Sequence, residues 1–319
     1  MSRHLFAFFF PFLALLLVGI ISPLASAAQP PAIAVLYPDL QEPYRSVVAS
    51  IIEGAQEKIK GPVRLFPLGN DFNAEQLNDS IDHKHIAALI ALGRTGLAAA
   101  QQWQGKIPIV VGALLLAPDN KDRGIAGISL AADPEIFLTY LEQIAPAVKR
   151  VHVVYSPQSS EWLVRIARSS ASKRNFQLIA YKSEDIKSSA LIYRDILRKS
   201  RPGEDAIWLL PDPVAVDDRL ILPLLLRGAW DQGILVFSSN PTHVRRGALF
   251  ALFPDNKAMG KSLAKMAETY LSGDERHMDN HVVPLRDLQA AINVRTADHI
   301  GLFISQEQRR KFALIFPAP

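Results

Sequence analysis

Apolar runs of strand length alternate with segments of helical period along nearly the whole chain. Ile33–Tyr37, Val63–Leu68, His85–Leu92, Ile107–Ala113 and Ile125–Leu130 are short and almost wholly apolar. Between them, Pro43–Lys60 repeats apolar residues at helical spacing, and Ala74–His83 and Thr95–Trp103 read as shorter helices. The rhythm restarts after Ala145-Pro146. Val151–Tyr155, Phe176–Tyr181, Ala206–Leu210, Ile234–Phe237, Gly247–Phe253 and a last run, Leu288–Val294, read as strands. Ser160–Lys173, Ile186–Lys199, Leu220–Trp230 and Lys257–Leu271 read as helices. Strands without polar alternation are buried on both faces, and helices between them supply the cover. The pattern predicts an α/β protein with two consecutive doubly wound parallel sheets.

The first residues follow a different pattern. Arg3 is followed by an almost unbroken apolar stretch, Leu5–Ile21, and then by Ala25-Ser26-Ala27. Charge, apolar stretch and small-x-small site in that order predict a secretory signal peptide over residues 1–27, cleaved after Ala27. The alternative is an uncleaved anchor, for which the stretch is barely long enough. The chain has no cysteine, so the mature protein has neither disulfides nor a lipid-modified cysteine. A periplasmic location without a lipid anchor is expected.

At 319 residues and 49% hydrophobic composition the chain is long and apolar enough for two packed lobes. The formal net charge of +4 is dispersed, with Arg245-Arg246 and Arg309-Arg310-Lys311 as its densest points. No basic stripe with interleaved aromatics occurs, so no nucleic-acid partner is expected. G-x-S-x-G, H-E-x-x-H and P-loop motifs are absent, and Tyr37-Pro38-Asp39 stands where a glycine-rich dinucleotide turn would follow the first strand. No catalytic residue and no cofactor is expected. His277 and His281 flank Asp279 in the polar segment Ser272–His281, which reads as a solvated connection rather than a metal site.

Ligands of open α/β sheets bind beyond the carboxyl ends of the strands, and clefts between lobes are preferred small-molecule sites. The candidate binding residues are therefore those at strand ends. In the first series these are Tyr37, Arg94, Thr95 and Gly112. Thr95 reads as a helix N-cap, and the helix start suits a ligand carboxylate. Arg94 either pairs with that carboxylate or points to water. In the second series they are Tyr155, Ser156, Ser160, Trp162, Asp212, Ser238, Ser239 and Asn240. Asp212 either meets a ligand ammonium or hydroxyl or forms a turn. Trp162, read as opening a helix after the Tyr155–Ser160 loop, either packs between helix and sheet or stacks on the ligand across from Tyr37.

These residues resemble the ABC-transporter substrate-binding proteins of the type I periplasmic-binding fold, in the branch that binds tryptophan and tyrosine. The resemblance spans nearly all of the chain after residue 30. It is carried by Thr95–Gln101 with Ile107-Pro108-Ile109-Val110, Gly127-Ile128-Ser129, Val151–Pro157 and Asp205–Asp212. It continues through Val236-Phe237, Gly247-Ala248, Pro254-Asp255, Ile292–Ala297 and Gly301-Leu302. The chain departs from the family pattern at Ser156, at Glu161-Trp162 and at Pro213, where the family commonly carries asparagine or serine. The resemblance implies two lobes joined by a hinge with the ligand cleft between them. Lobe one would comprise residues 31–130 plus 256–283, and lobe two 131–255 plus 284–319. It further implies a monomer that captures a small molecule, amino-acid-like or more aromatic and apolar, and delivers it to an ABC permease in the inner membrane. A sensory protein signalling to a membrane partner, and an exported enzyme, are the competing readings.

Overall fold

The computed structural model describes residues 31–69, 72, 75, 77, 86–117, 125–271 and 281–317; the expected signal peptide lies outside them. In chain order the first elements are β1 (Ala32–Pro38), α1 (Tyr44–Lys58), β2 (Val63–Leu68), β3 (Ile86–Leu92), α2 (Gly93–Ala100, continued by a 3-10 turn, Gln101–Trp103), β4 (Ile109–Leu114) and β5 (Ala126–Ala132). They are followed by α3 (Pro134–Ile144), β6 (Arg150–Tyr155), α4 (Pro157–Lys173), β7 (Gln177–Lys182), α5 (Ile186–Lys199), β8 (Asp205–Leu209), α6 (Ile221–Gln232), β9 (Leu235–Ser238), α7 (Pro241–Arg245) and β10 (Phe250–Pro254). The last are α8 (Asn256–Leu271), β11 (Val282–Leu285), β12 (Leu288–Asn293), α9 (Val294–His299), α10 (Gln306–Arg309) and β13 (Leu314–Phe316). Of the helix expected over Ala74–His83 only Glu75 and Leu77 are described, both helical, and the segment around His277 lies outside the described residues.

Two sheets result. One has the order β11-β5-β4-β3-β1-β2 and the other β13-β12-β10-β9-β8-β6-β7. All pairings of the first are parallel, in register such as Val35 opposite Leu65 and Ile90. In the second, β6 to β10 are parallel, β12 runs antiparallel to β10, and β13 runs parallel to β12. The all-parallel expectation is corrected there. The chain enters β12 from the short connection after β11 instead of through a crossover helix, so it arrives from the opposite end.

Both faces of each sheet are covered, as strands without polar alternation require. Along β1, Ile33 and Val35 join a cluster with Ile51 of α1 and Leu263 of α8, while Ala34 and Leu36 face Trp103. Along β8, Ala206 and Trp208 pack with Phe137 of α3 and Leu163 of α4, while Ile207 and Leu209 meet Tyr193 of α5 and Leu225 of α6. Phe137, Trp208, Phe237 and Phe250 form a buried aromatic column, with neighbouring centroids 5.1–5.9 Å apart.

Several elements differ from the sequence expectation. Helix α3 was not anticipated; Asp133 caps it through a 2.9 Å bond from the Glu135 N–H, and Pro134 stands in its first turn. The strand expected from Gly247 starts at Phe250. Gly247 has φ +126, and the Ala248 N–H donates to the His243 carbonyl, so the chain is still turning there. The strand expected to be last is followed by β13.

Candidate ligand cleft

At the carboxyl edge of the first sheet, β1, β3 and β4 converge on Gly93. Its φ is +68, and a Cβ there would lie 3.7 Å from Pro38 Cγ and 4.0 Å from the Ala113 carbonyl oxygen. Ala113 itself has φ +56, a left-handed backbone that a residue with a Cβ adopts at some cost. Helix α2 therefore starts at Gly93, with Leu92 at the N-cap and no side-chain cap. Thr95 lies inside the first turn, which corrects its reading as the cap: the positive φ of Gly93 begins the helix two residues earlier. Arg94 is exposed, and Tyr37 is half-buried against the cluster under α1 and α8. Gly112 is buried, and its α-carbon faces Leu263 of α8, which a Cβ would overlap. Its missing side chain admits the helix.

At the carboxyl edge of the second sheet, α4 begins at Pro157, so Trp162 sits in its second turn and not at its start. Tyr155 is fully buried, and its hydroxyl donates to Glu161 Oε2 at 3.1 Å. Burial and that carboxylate push the phenol pKa upward. Asp212 is 2% exposed and collects three backbone donors: Ser156 N–H at 2.7 Å, and Val214 and Ala215 N–H at 3.1 Å each. It stitches the β6 loop to the β8 loop, which is the turn-forming one of its two readings. Ser160 is buried, and its N–H donates to the Ser156 carbonyl at 2.9 Å.

Two adjoining cavities open here. The first, about 240 Å³, lies where the sheets meet. Leu115, Ala117 and Ala131 from the ends of β4 and β5 face Ser159, Ser160 and Trp162 of α4 and Pro211 after β8. Trp162 is half-buried, with part of its ring against the α3–α4 core and part on the cavity. The second, about 510 Å³, shares Pro211 and carries Asp217, Asp218, Ser239, Asn240 and His243. Tyr37, Arg94, Thr95 and Gly112 line neither cavity.

A polar chain forms the floor of the second cavity. Ser238 Oγ lies 2.8 Å from His243 Nδ1, and His243 Nε2 lies 2.8 Å from Asp218 Oδ1. Asn240 Oδ1 caps α7 through the Thr242 N–H at 2.9 Å, while its own N–H donates to Ser238 Oγ at 3.1 Å. Burial lowers the His243 pKa, against the opposing pull of Asp218. In a serine nucleophile triad the hydroxyl faces the substrate and the carboxylate is hidden. Here the order is reversed: Ser238 is 1% exposed, and the Asp218 side chain 54%. The arrangement presents a carboxylate, oriented by histidine, to whatever enters the cavity.

Sequence reasoning therefore placed Ser160 and Trp162 beside one cavity and Asp212, Ser238, Ser239 and Asn240 beside the other. It missed Leu115, Ala117, Asp217, Asp218 and His243. The Asp217-Asp218 pair just past a strand-end loop was a legible signal; His243 was not, because its value depends on a contact 25 residues away. Among the described residues no cluster of metal-ligating side chains occurs, and no helix is long and apolar enough to cross a membrane.

The fold resembles solved proteins. A conserved domain protein from Vibrio cholerae aligns at 19% identity and TM-score 0.52, covering 90% of this chain and 100% of that one. An ABC domain from Streptococcus pneumoniae, solved in complex with L-Trp, aligns at 17% identity and TM-score 0.51, covering 89% and 100%. A ligand-free, open substrate-binding protein with adhesive properties from Clostridium difficile aligns at 16% and TM-score 0.62, covering 89% and 98%. At such identities these likenesses establish the type I periplasmic-binding fold. No curated protein matches the sequence. The model of the family described as ABC transporter substrate binding protein matches residues 69–311, and the chain belongs to that family.

Proposed function

We propose that the chain is a periplasmic receptor that captures a small molecule between two lobes and hands it to an ABC importer. The observation that carries this reading is the cavity where the carboxyl edges of both sheets meet, which shares Pro211 with a second cavity on the edge of the second sheet. Each sheet with its helices would form one lobe, close to residues 31–130 plus 256–283 and 131–255 plus 284–319 but with the limits moved to the ends of β5 and β11, at Ala132 and Leu285. Closure about the connections between them would bring Leu115 and Ala117 down onto Trp162. Export by the signal peptide puts the receptor beside an inner-membrane permease. It works as a monomer and performs no chemistry on its ligand.

The two cavities differ in character, and together they favour one kind of ligand. Trp162, Pro211 and Leu115 offer flat apolar surface. Asp217 and Asp218 offer acceptors across Pro211. A molecule with an aromatic or apolar body and an ammonium or hydroxyl donor fits both. The L-Trp bound by the pneumococcal protein has this shape, which makes tryptophan the first compound to titrate. Native mass spectrometry of the protein purified from periplasm tests the proposal. A single co-purifying small molecule, recovered chemically unchanged, is expected; conversion of that molecule by the protein would overturn it. Amino-terminal sequencing of the same material should begin at Ala28.

A further inference from the structure

On the far side of the second sheet, α5 and α6 do not close completely. Between them lies a slot of about 370 Å³ walled by Leu191, Tyr193, Leu197, Ile221, Leu224 and Leu225. The size falls within the range of small-molecule sites. Scattered exposed leucines are ordinary on protein surfaces. Here Leu224 is 69% exposed and Leu191 44%, and the two belong to one concavity, with Leu220 at 60% a turn away. Tyr193 contributes apolar ring, because its hydroxyl is buried away from solvent.

A single charged residue, Arg194, lines this slot. It forms an ion pair with its chain neighbour Asp195 at 3.6 Å, both side chains more than half exposed, a contact worth little in water. Lys187 and Arg198 are exposed on the same stripe of α5, at helical spacing from Leu191 and Arg194. They add positive potential at the mouth. An apolar crevice with one guanidinium at its rim complements an apolar chain ending in one negative group. Because the apolar part is concave, it suits a chain inserted into the protein; a bilayer surface would press on a convex face.

We propose that the slot between α5 and α6 is a second binding site, separate from the cleft, for a single-chain anionic amphiphile of the fatty carboxylate class. The chain would lie between Leu191, Leu197 and Leu224, with its carboxylate against Arg194.

The probe is dodecanoate, titrated calorimetrically into the mature full-length protein below its micelle concentration. One site is expected. Arg194→Gln should weaken it about tenfold, and Leu224→Asp should abolish it. Dodecyltrimethylammonium, with the same chain and the opposite charge, should bind at least tenfold more weakly. Both substituted side chains are largely exposed, so thermal melts should match wild type. No heat with monomeric dodecanoate, or equal affinity for the two head groups, overturns the proposal. So does loss of binding in Trp162→Ala with retention in Arg194→Gln, which would put the chain in the cleft. Co-sedimentation with phosphatidylglycerol vesicles without monomer binding would make the face a membrane contact instead. A dimer that Leu224→Asp dissociates would assign it to a second copy of the chain.

Discussion

Helices α1 and α8 cross with their backbones in contact, and the glycines at the crossing make a severe test of the packing. A Cβ on Gly260 would overlap the Ile51 carbonyl oxygen and come within 3.0 Å of the Ala55 nitrogen; a Cβ on Gly54 would overlap the Lys257 carbonyl. Both obstacles are backbone, which cannot rotate away as a side-chain tip would. In an exposed helix Gly→Ala stabilises by about 1 kcal/mol. Overpacking a closed core costs about 1–3 kcal/mol or more, and here the helices must separate along a seam that also buries Ile51, Ala55, Met259 and Leu263. Overpacking wins: Gly260→Ala should destabilise the protein by about 2 kcal/mol, and Gly260→Val by more. Urea unfolding of the mature protein followed by circular dichroism gives the difference directly. A Gly260→Ala variant as stable as wild type, or more stable, would refute the reasoning, since helix propensity would then outweigh the clash. Helix α8 is the first element after β10 and packs on the first sheet directly as well as through this seam, with Leu263 against Gly112.

Three further outcomes are expected. Asp205 is almost wholly buried; burial favours its neutral form, but Arg150, the Arg201 N–H and His152, at 2.6–2.7 Å, overcome this and push the pKa down to about 2. Its contribution is fully present above the unfolded value of about 4, is lost as pH falls toward 2, and amounts to roughly 2 kcal/mol. Asp205→Asn should lose that stability at pH 7 and flatten acid unfolding between pH 4 and 2; an unchanged acid transition would contradict the assignment. His243 should titrate below the ordinary imidazole value of about 6.5, so it is neutral at neutral pH and gains its proton only as pH falls through the lowered value. An NMR titration placing its pKa above 6.5 would count against that. Trp162→Ala should leave the melting temperature within a few degrees of wild type and weaken the co-purifying ligand about tenfold, combining lost stacking of about 0.5–1.5 kcal/mol with lost apolar contact. Equal affinities would remove Trp162 from the site.

Much of the architecture was readable because buried parallel strands have so little freedom in composition. The run Ile86–Leu92 contains no polar residue, and β3 indeed has a strand on each side and helices on both faces. Helices of about four turns or more, such as α4 and α5, announced themselves by period. The losses have physical causes. Helix α7 has five residues and β13 three, too few for any period to register. Helix α3 carried a legible Asp-Pro-Glu start at 133–135 that went unassigned between the strand ending at Leu130 and the restart after Ala145-Pro146. The antiparallel sense of β12 is a property of the route the chain takes, and no local residue encodes it. At the candidate site, strand-end position pointed to Trp162 and Asp212 but left two readings open for each. Asp212 satisfies three backbone donors that only the folded loops bring within reach, and Asp218 and His243 meet across a loop and a helix.

The same route explains how the cleft would open and close. The chain passes between the sheets three times: after β5, after β10 and after β11. These passages are bonded to one another. The Asp133 N–H donates to the Leu285 carbonyl at 2.8 Å, and the Asp255 N–H to the Asp287 carbonyl at 2.9 Å. The Asp133 carboxylate also takes the Arg286 guanidinium while capping α3. A single linker would let one sheet swivel freely on the other. Three laterally bonded linkers resist twisting and sliding, because either motion breaks hydrogen bonds between them, whereas bending all three together breaks none. The remaining soft motion is therefore a hinge. Its axis lies at Asp133, Asp255 and Arg286, where β5, β10 and β11 end, so rotation there moves Leu115 and Ala117 relative to Trp162 while leaving each sheet's core intact. The acidic Asp217–Asp218 edge lies with Trp162 on one side of that axis and Leu115 and Ala117 on the other, so on the proposed reading a ligand held at the acidic edge would be covered by closure.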